Sequence, residues 1–233
     1  MNTNLNIHTF EKYSLFKETK MVTNKKKVLA IGAHSDDVEI GCGGSLLKWK
    51  NQGYKITIFT ACKSGYQDSK GNIIRSDDIA HSESIKASKF LGANLINAGF
   101  PTFKIEFSEL FNSKLINVLA NVQPDIVLTQ WVGDTHHDHY VVAMASLHCC
   151  RHISNLLMYC SNWYESSRHF KPKFFVDISE EFEKKIELIN IYQSENKRTD
   201  GIWLDYLQAQ SKLYGLKTGV KYAEGFEIVK WLY

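Results

Sequence analysis

Apolar and polar positions form blocks along the chain that predict strands and helices in alternation. Short continuous apolar runs are typical of parallel strands covered on both faces of a sheet. The predicted strands cover residues 28–33, 54–61, 94–98, 125–129, 156–160 and 174–178. Segments with helical spacing lie at 45–50, 77–91, 109–122, 141–151, 180–194 and 203–214. The alternation predicts a three-layer α/β/α sandwich around a mainly parallel, Rossmann-like sheet.

Two dense polar clusters each follow a predicted strand. The first is AHSDDVEIGCGG at 33–44, and the second is DTHHDH at 134–139, which we predict to be a loop. Another polar loop is predicted at 63–72. Right-handed crossovers place the carboxyl ends of parallel strands at one edge of the sheet, and ligands bind at that edge. We therefore expect the two clusters to lie there together.

The polar residues of the first cluster are not explained by packing of the core. Ionised carboxylates are costly to bury without a partner, and a divalent metal would be such a partner. His34 and Asp37 could supply two of its ligands, which would leave Asp36 free to act as a base. His139 of the second cluster could supply a third ligand. Two imidazoles and one carboxylate with an open fourth position are typical of catalytic zinc, which lowers the pKa of a bound water from about 16 to about 7.

Two simpler interpretations of the first cluster are an N-capping hydrogen-bond network and a dinucleotide-binding loop. The glycines at 41, 43 and 44 suggest the loop, but the G-x-G-x-x-G spacing is absent and the preceding carboxylates would repel a pyrophosphate. We instead expect these glycines to let the loop turn closely beneath the metal and to start the following helix.

Composition narrows the class of protein. The 233 residues carry a formal net charge of +3 and five cysteines. This charge is too small to indicate nucleic acid as a partner, and the odd cysteine count without a CxxC pair fits a reducing compartment. We expect no membrane span, because no apolar stretch approaches roughly 18 residues. The N-terminus has no signal pattern, so we expect a cytoplasmic location. Residues 1–24 are predicted to be an N-terminal extension and 25–233 a single domain.

The segments AHSDDVEIGCGG and HHDH resemble the two signature motifs of the PIG-L/LmbE-like family of zinc-dependent N-deacetylases, of the N-acetylglucosaminyl deacetylase type. The usual forms of these motifs are A-H-P-D-D before a glycine-rich turn, and H-x-D-H. The resemblance runs from about Lys27 to the segment YAEGF at 222–226, and it includes the helix that carries Glu83. Its two main motifs occur in order, each after a predicted strand.

The resemblance implies a role for each residue of the two motifs. The ligands of Zn²⁺, with Fe²⁺ as an alternative metal, would be His34, Asp37 and His139. Asp36 would be the general base that deprotonates the attacking water. His136 would be an imidazolium that steadies the oxyanion and helps to protonate the departing amine. Asp138 would orient His136, as buried carboxylates orient other catalytic imidazoles.

The chain departs from the family pattern at two positions. Ser35 replaces the usual proline, which removes no chemical group. Family members also commonly carry an arginine three residues before the helix glutamate, where it helps to hold the substrate. That position is Ala80 in this chain, and Arg75 lies nearby at a different spacing. Glu224, near the C-terminus, could either anchor this segment or line the pocket.

The function implied by the resemblance is hydrolysis of an N-acyl amide, most simply N-acetyl, on an amino-sugar conjugate of the GlcNAc type. The products would be a free amine and acetate. One alternative is deacylation of another N-acyl amine, such as a nucleotide-sugar or aminoglycoside intermediate. Another is a sugar- or nucleotide-binding α/β protein without catalysis. The expected partner is a small N-acetylated amino sugar, and assembly into a homo-oligomer is left open.

Overall fold

The computed structural model describes residues 25–232, so the predicted N-terminal extension lies outside the described residues. The strands are β1 (Lys27–Gly32), β2 (Lys55–Cys62), β3 (Tyr66–Gln67), β4 (Ile73–Arg75), β5 (Asn94–Phe100), β6 (Ile126–Gln130), β7 (Leu156–Tyr159), β8 (Phe174–Asp177) and β9 (Ala223–Lys230). The helices are α1 (Asp37–Asn51), α2 (Asp77–Leu91), α3 (Glu109–Val122), α4 (His137–Cys149), α5 (Phe182–Asn190), α6 (Gln193–Thr199) and α7 (Ile202–Thr218). Among the described residues, no helix is both long and apolar enough to cross a membrane.

The main sheet has seven strands in the order β5-β2-β1-β6-β7-β9-β8. The first five are parallel, and β9 pairs antiparallel with both β7 and β8. The strand order reverses between β1 and β6, where successive crossovers leave in opposite directions. Such a switch point opens a crevice at the carboxyl ends of the strands. The predicted α/β fold with a mainly parallel sheet is confirmed.

Apolar side chains fill the space on both faces of this sheet. Along β1, Val28 and Ala30 face a core formed with α1, α2, α5 and α7. Leu29 and Ile31 face a second core formed with α3 and α4. All four side chains are fully buried. This alternation explains the continuous apolar sequence of β1, since each of its faces packs against helices.

The structure corrects the prediction for the glycines after the first motif. Helix α1 begins at Asp37, so these glycines lie inside it rather than starting it. The backbone is non-helical at Cys42, with φ −146°, and the helix is kinked there. A Cβ at Gly41 would overlap the ring of Tyr159, whose hydroxyl donates to the carbonyl of Ile31 at 2.7 Å. The glycines therefore permit close packing of the helix on the sheet.

Three further predictions were wrong in their details. The predicted loop at 63–72 contains β3 and leads into β4, and these two strands form a small antiparallel sheet. No long apolar run in the sequence indicated this sheet. The predicted helix at 180–194 is two helices, because the backbone leaves the helical conformation at Tyr192, with ψ 61°. Helix α4 begins at His137, so half of the second cluster lies in its first turn rather than in a loop. Strand β9 was not predicted, because its glycine and charged residues interrupt the alternation of apolar and polar positions that is typical of a strand.

Candidate active site

The two motifs meet at the carboxyl ends of two neighbouring strands. The first motif follows β1 directly and enters α1, whereas the second follows β6 and enters α4. Because β1 and β6 pair in parallel, with Ala30 opposite Leu128, the segments that follow them emerge side by side. The structure thus brings the two clusters together as their sequence positions predicted.

Three side chains converge at the centre of this edge. The Nδ1 atom of His34 lies 3.1 Å from Nε2 of His139 and 3.3 Å from Oδ2 of Asp37. Nε2 of His139 lies 3.2 Å from Oδ1 of Asp37. Four-coordinate zinc with bonds of about 2.0–2.1 Å spaces its ligand atoms by about 3.3 Å. The separations measured here are close to that value, with Asp37 presenting a different oxygen to each imidazole, so these side chains fit a zinc-sized cation.

The charges around these three side chains favour a cation. Burial alone would lower the pKa of His139, but Asp37 and Asp134 raise it to about 9. His34 behaves alike, since Cys62, Asp138 and Asp37 raise its pKa well above the usual value despite burial. Burial would raise the pKa of Asp37, but the two imidazoles keep it well below its usual value. The pocket therefore stabilises positive charge where the three donors meet.

Further carboxylates orient the two imidazoles from behind. Nδ1 of His139 lies 2.9 Å from Oδ2 of Asp134, and Nε2 of His34 lies 3.2 Å from Oδ2 of Asp138. Such partners fix the ring orientation and raise the basicity of histidines that bind metals. Asp134 belongs to the second cluster, but no role was predicted for it from the sequence. Asn162 donates to both oxygens of Asp134, at 2.7 and 2.6 Å, and no sequence signal indicated this contact.

The structure corrects the expected role of Asp138. Its carboxylate contacts His34 and accepts a hydrogen bond of 2.7 Å from the backbone N–H of Phe103, rather than orienting His136. The backbone N–H of Asp138 donates instead to Nδ1 of His136 at 3.2 Å, because His136 caps the N-terminus of α4. Asp138 lies two residues after His136, in the first turn of α4, so its side chain points to a different side of the helix.

His136 also differs from the expected imidazolium. Burial and the positive charges of His139 and His34 lower its pKa to about 4, against the weaker attraction of Asp37 and Asp138. This shift favours the neutral ring over the imidazolium that the resemblance implies. Because its Nδ1 accepts the N–H of Asp138, its hydrogen resides on Nε2.

Asp36 lies beside the three donors and belongs to a separate charge network. Its Oδ2 lies 3.1 Å from Nη1 of Arg75, whose Nη2 lies 2.9 Å from Oε2 of Glu83. A third carboxylate, Glu195, approaches Nη1 of Arg75 at 3.7 Å. Burial raises the pKa of Asp36 to about 6, although Arg75 opposes this shift. Arg75 stood out in the sequence only for its spacing from Ala80. No sequence signal indicated Glu195, which lies in α6 and approaches Arg75 only in the folded chain.

The cavity above these groups has a volume of about 320 Å³. This lies at the small end of the range for small-molecule sites. Both charge networks contribute to its lining, and so do aromatic side chains. These aromatic residues are Tyr66, Phe103, Trp163, Tyr164 and Trp203.

Glu224 proves to be an anchor rather than part of this cavity. It is buried and accepts the backbone N–H groups of Gly44 and Ser45 at 2.9 and 2.7 Å. The ammonium of Lys185 lies 2.6 Å from its Oε1. These contacts tie β9 and α5 to the kinked part of α1, which agrees with one of the two roles left open by the sequence.

These features define a class: α/β proteins with a candidate three-donor metal centre beside a buried carboxylate. The model of the PIG-L family, described as GlcNAc-PI de-N-acetylase, matches residues 29–150, which is more than half of the chain. This chain therefore belongs to the PIG-L family. The resemblance inferred from the two motifs is confirmed.

Known proteins similar to the chain include named deacetylases. The uncharacterised deacetylase YaiS of Escherichia coli is 34% identical over 170 residues, which cover 68% of this chain and 86% of that protein. Diacetylchitobiose deacetylase of Thermococcus kodakarensis is 24% identical over 237 aligned positions, covering 94% of this chain and 88% of that protein. The solved N,N′-diacetylchitobiose deacetylase of Pyrococcus horikoshii has a TM-score of 0.75 at 24% identity, covering 88% of this chain and 84% of that one. The family and these relatives confirm the prediction of a hydrolase of the deacetylase type.

Proposed function

We propose that this chain is a metal-dependent N-deacetylase that acts on an N-acetylated amino-sugar conjugate. The metal would be Zn²⁺, with Fe²⁺ as an alternative, held by His34, Asp37 and His139. The observation that carries the proposal is the convergence of the His34, Asp37 and His139 side chains, which approach one another at 3.1 to 3.3 Å, next to the buried carboxylate of Asp36. A binding protein without catalysis would need these three side chains at most, and no carboxylate beside them.

A divalent cation held by these ligands would act as a Lewis acid and would supply a nucleophilic water at neutral pH. Asp36 would accept a proton from the attacking water. The Nη1 of Arg75 fixes the orientation of its carboxylate, and a pKa of about 6 suits proton transfer near neutrality. The same carboxylic acid then returns the proton to the nitrogen of the departing amine as the C–N bond breaks.

His136 in this proposal is a neutral hydrogen-bond donor. Its Nδ1 is already occupied by the N–H of Asp138, so Nε2–H is the group available to the developing negative charge on the amide oxygen. A donor fixed in advance in a buried site stabilises such charge without reorganisation. This assignment keeps the predicted contact of His136 with the oxyanion and transfers protonation of the amine to Asp36.

The substrate class is supported by relatives and by the shape of the cavity. Two relatives are named for deacetylation of diacetylchitobiose, an N-acetylated disaccharide. The cavity of about 320 Å³ combines aromatic rings with charged groups, and both are useful for binding a sugar. A different N-acyl amine remains the alternative substrate. A cytoplasmic location and a single domain at 25–233 remain predictions, the former supported by five free cysteines.

The test measures amine release and metal content on the same preparation. Purified protein is assayed with N-acetylglucosamine, N,N′-diacetylchitobiose and the matching N-butyryl sugar, and free amine and acetate are quantified. We expect bound divalent metal, amine release from an acetylated sugar, and little from the butyryl analogue. Full activity in protein freed of metal by a chelator would refute the mechanism. Bound metal without amine release from any of these compounds would instead favour a binding protein.

A further inference from the structure

Phe103 is a large aromatic residue that is exposed at the edge of the candidate site. Its side chain lines the cavity, and 54% of the residue is accessible to solvent. It is not part of either apolar core among the described residues. Core packing therefore does not explain why an apolar ring stands at this position.

The backbone conformation at Phe103 is also unusual for a residue that has a side chain. Its φ is +63°, in the left-handed region where a Cβ is unfavourable. Glycine would adopt this turn without strain. The hydrogen bond from its backbone N–H to Asp138, at 2.7 Å, needs no side chain. The turn and its hydrogen bond thus do not require phenylalanine.

Neighbouring rings fix the orientation of the Phe103 side chain. Its ring centroid lies 5.4 Å from that of His136, with 30° between the planes. The ring of Tyr66 packs against it at 6.2 Å and 80°, an edge-to-face arrangement. An oriented aromatic face is therefore held directly beside the residue that we assign to the amide oxygen.

We propose that Phe103 is a specificity-determining residue whose ring stacks on the sugar ring that carries the acetamido group. This inference rests on the proposed function. A pyranose presents a face of C–H groups with small positive charges, while its hydroxyls point outward. The face of an aromatic ring is negative and apolar, and it complements such a surface. Arg198, which also lines the cavity, binds Glu195 through its Nε at 2.6 Å and can offer its other N–H groups to the hydroxyls.

The experiment uses side-chain variants that all retain the backbone N–H. Phe103→Gly and Phe103→Ala remove the ring, and Phe103→Trp supplies another. For N-acetylglucosamine we expect KM to rise about three- to tenfold in the first two variants, with kcat changed less than about twofold, and to recover in the third. We also expect the glycine variant to melt about 2–4 °C above the alanine variant, because only glycine relieves the strain.

Two matched controls separate stacking from general damage. Phe107→Ala removes a ring of nearly equal exposure, 53%, from the same connecting segment, and it should leave KM unchanged. The substrate control is N-acetylethanolamine, which has the acetamide and a hydroxyl but no ring, and its KM should not respond to the loss of Phe103. An equal loss with this compound, or an unchanged KM for the sugar in both ring-free variants, would overturn the inference.

A binding measurement distinguishes failure of this inference from failure of the proposed function. Saturation-transfer NMR with glucosamine, which contains no amide, reports contact between sugar C–H groups and aromatic protons without turnover. Titration of the transfer signal gives a dissociation constant, which we expect to be equal in the original metal-loaded chain and in Phe107→Ala and to rise about three- to tenfold in both ring-free variants. A dissociation constant that is unchanged without Phe103 overturns stacking even if the sugars are deacetylated. A dissociation constant that rises without Phe103, in a chain that releases no amine, supports stacking and refutes only the deacetylase.

Discussion

The candidate site has two sides that are built in different ways. The ligand side consists of His34, Asp37 and His139, which leave the ends of two strands that pair directly. The arginine side consists of Arg75 with Glu83 and Glu195, which come from the small hairpin, α2 and α6. Backbone pairing fixes the first side, whereas packing between peripheral elements fixes the second.

The two sides also differ in how they act on charge. The ligand side favours a cation, because carboxylates stand among and behind its imidazoles. The arginine side places one guanidinium among carboxylates and leaves Asp36 with a pKa of about 6. Asp36 lies between them, next in sequence to the ligand Asp37 and bound to Arg75. We expect the ligand side to hold the metal and the arginine side to prepare the base, so the two should be separable by mutation.

The largest effect is expected from His139→Ala on the ligand side. Loss of one donor of three should reduce bound metal from roughly one ion per chain to nearly none and bring amine release below detection. Elemental analysis and the amine assay check this. The matched control is His137→Ala, because the Nε2 atom of His137 instead contacts the carbonyl of Ile105 at 2.9 Å. Full metal content in the first variant would contradict the ligand assignment.

Asp36→Asn tests the residue that lies between the two sides. We expect kcat to fall by about 10²- to 10⁴-fold, as for loss of a general base, with metal content unchanged. Asp37→Asn, at the neighbouring position, should lose metal as well as activity. Normal turnover by Asp36→Asn would show that this carboxylate is not the base.

Arg75→Met tests the arginine side by removing its guanidinium. Removal of the buried guanidinium leaves the carboxylates of Asp36, Glu83 and Glu195 without their partner, which should cost roughly 3–5 kcal/mol in the free energy of unfolding. Urea denaturation measures this, and metal affinity of the folded protein should stay the same.

The same variant has a defined pH dependence. Without Arg75, the folded-state pKa of Asp36 rises further above its unfolded value. Such a group favours the folded state at low pH and loses this contribution as pH rises through the folded-state pKa. The stability deficit of Arg75→Met relative to the original chain should therefore shrink as pH is lowered from above neutrality towards about 6, the pKa of Asp36 beside Arg75. A deficit that is constant between pH 5 and 8, as set in the assay, would argue that Arg75 contributes through packing instead.

The smallest effect is expected from Asp134→Asn, which weakens the support of His139 without removing a ligand. Metal affinity should fall about 10- to 100-fold, as is usual when a carboxylate behind a metal-binding histidine is replaced. Competition with a chromogenic chelator measures it. Glu83→Gln, a matched change on the arginine side, should leave the affinity unaltered. Equal losses in both variants would mean that the two sides are one coupled network.

Much of the fold was predictable because local pattern and tertiary environment agree. Helices α2 and α3 match their predicted bounds, since Ser76 and Ser108 cap them and polar residues separate them from the strands. The three donor residues were predictable for a related reason. Parallel strands deliver their following segments to one edge, so two polar motifs after two strands are expected to meet there.

Elements whose stability comes from distant partners were not predictable. Strand β9 lies between β7 and β8 and is held by their backbones, despite a sequence with weak alternation. The break between α5 and α6 depends on the buried ring of Tyr192, over which Arg75 lies at 5.8 Å. Neither feature has a local signal, because its energy arises in contacts that form only on folding.

The sequence was sufficient to predict the α/β class, the edge of the sheet that carries the candidate site, and three candidate donor residues. These follow from hydrophobic pattern and from the side chains that a cation requires. Only folding brings Asp138 against His34, partly buries His136 beside two imidazoles that lower its pKa, and places Arg75 against Asp36. Such pairings depend on the direction of each side chain and on burial, which raises the strength of charge interactions. Spacing along a chain specifies neither.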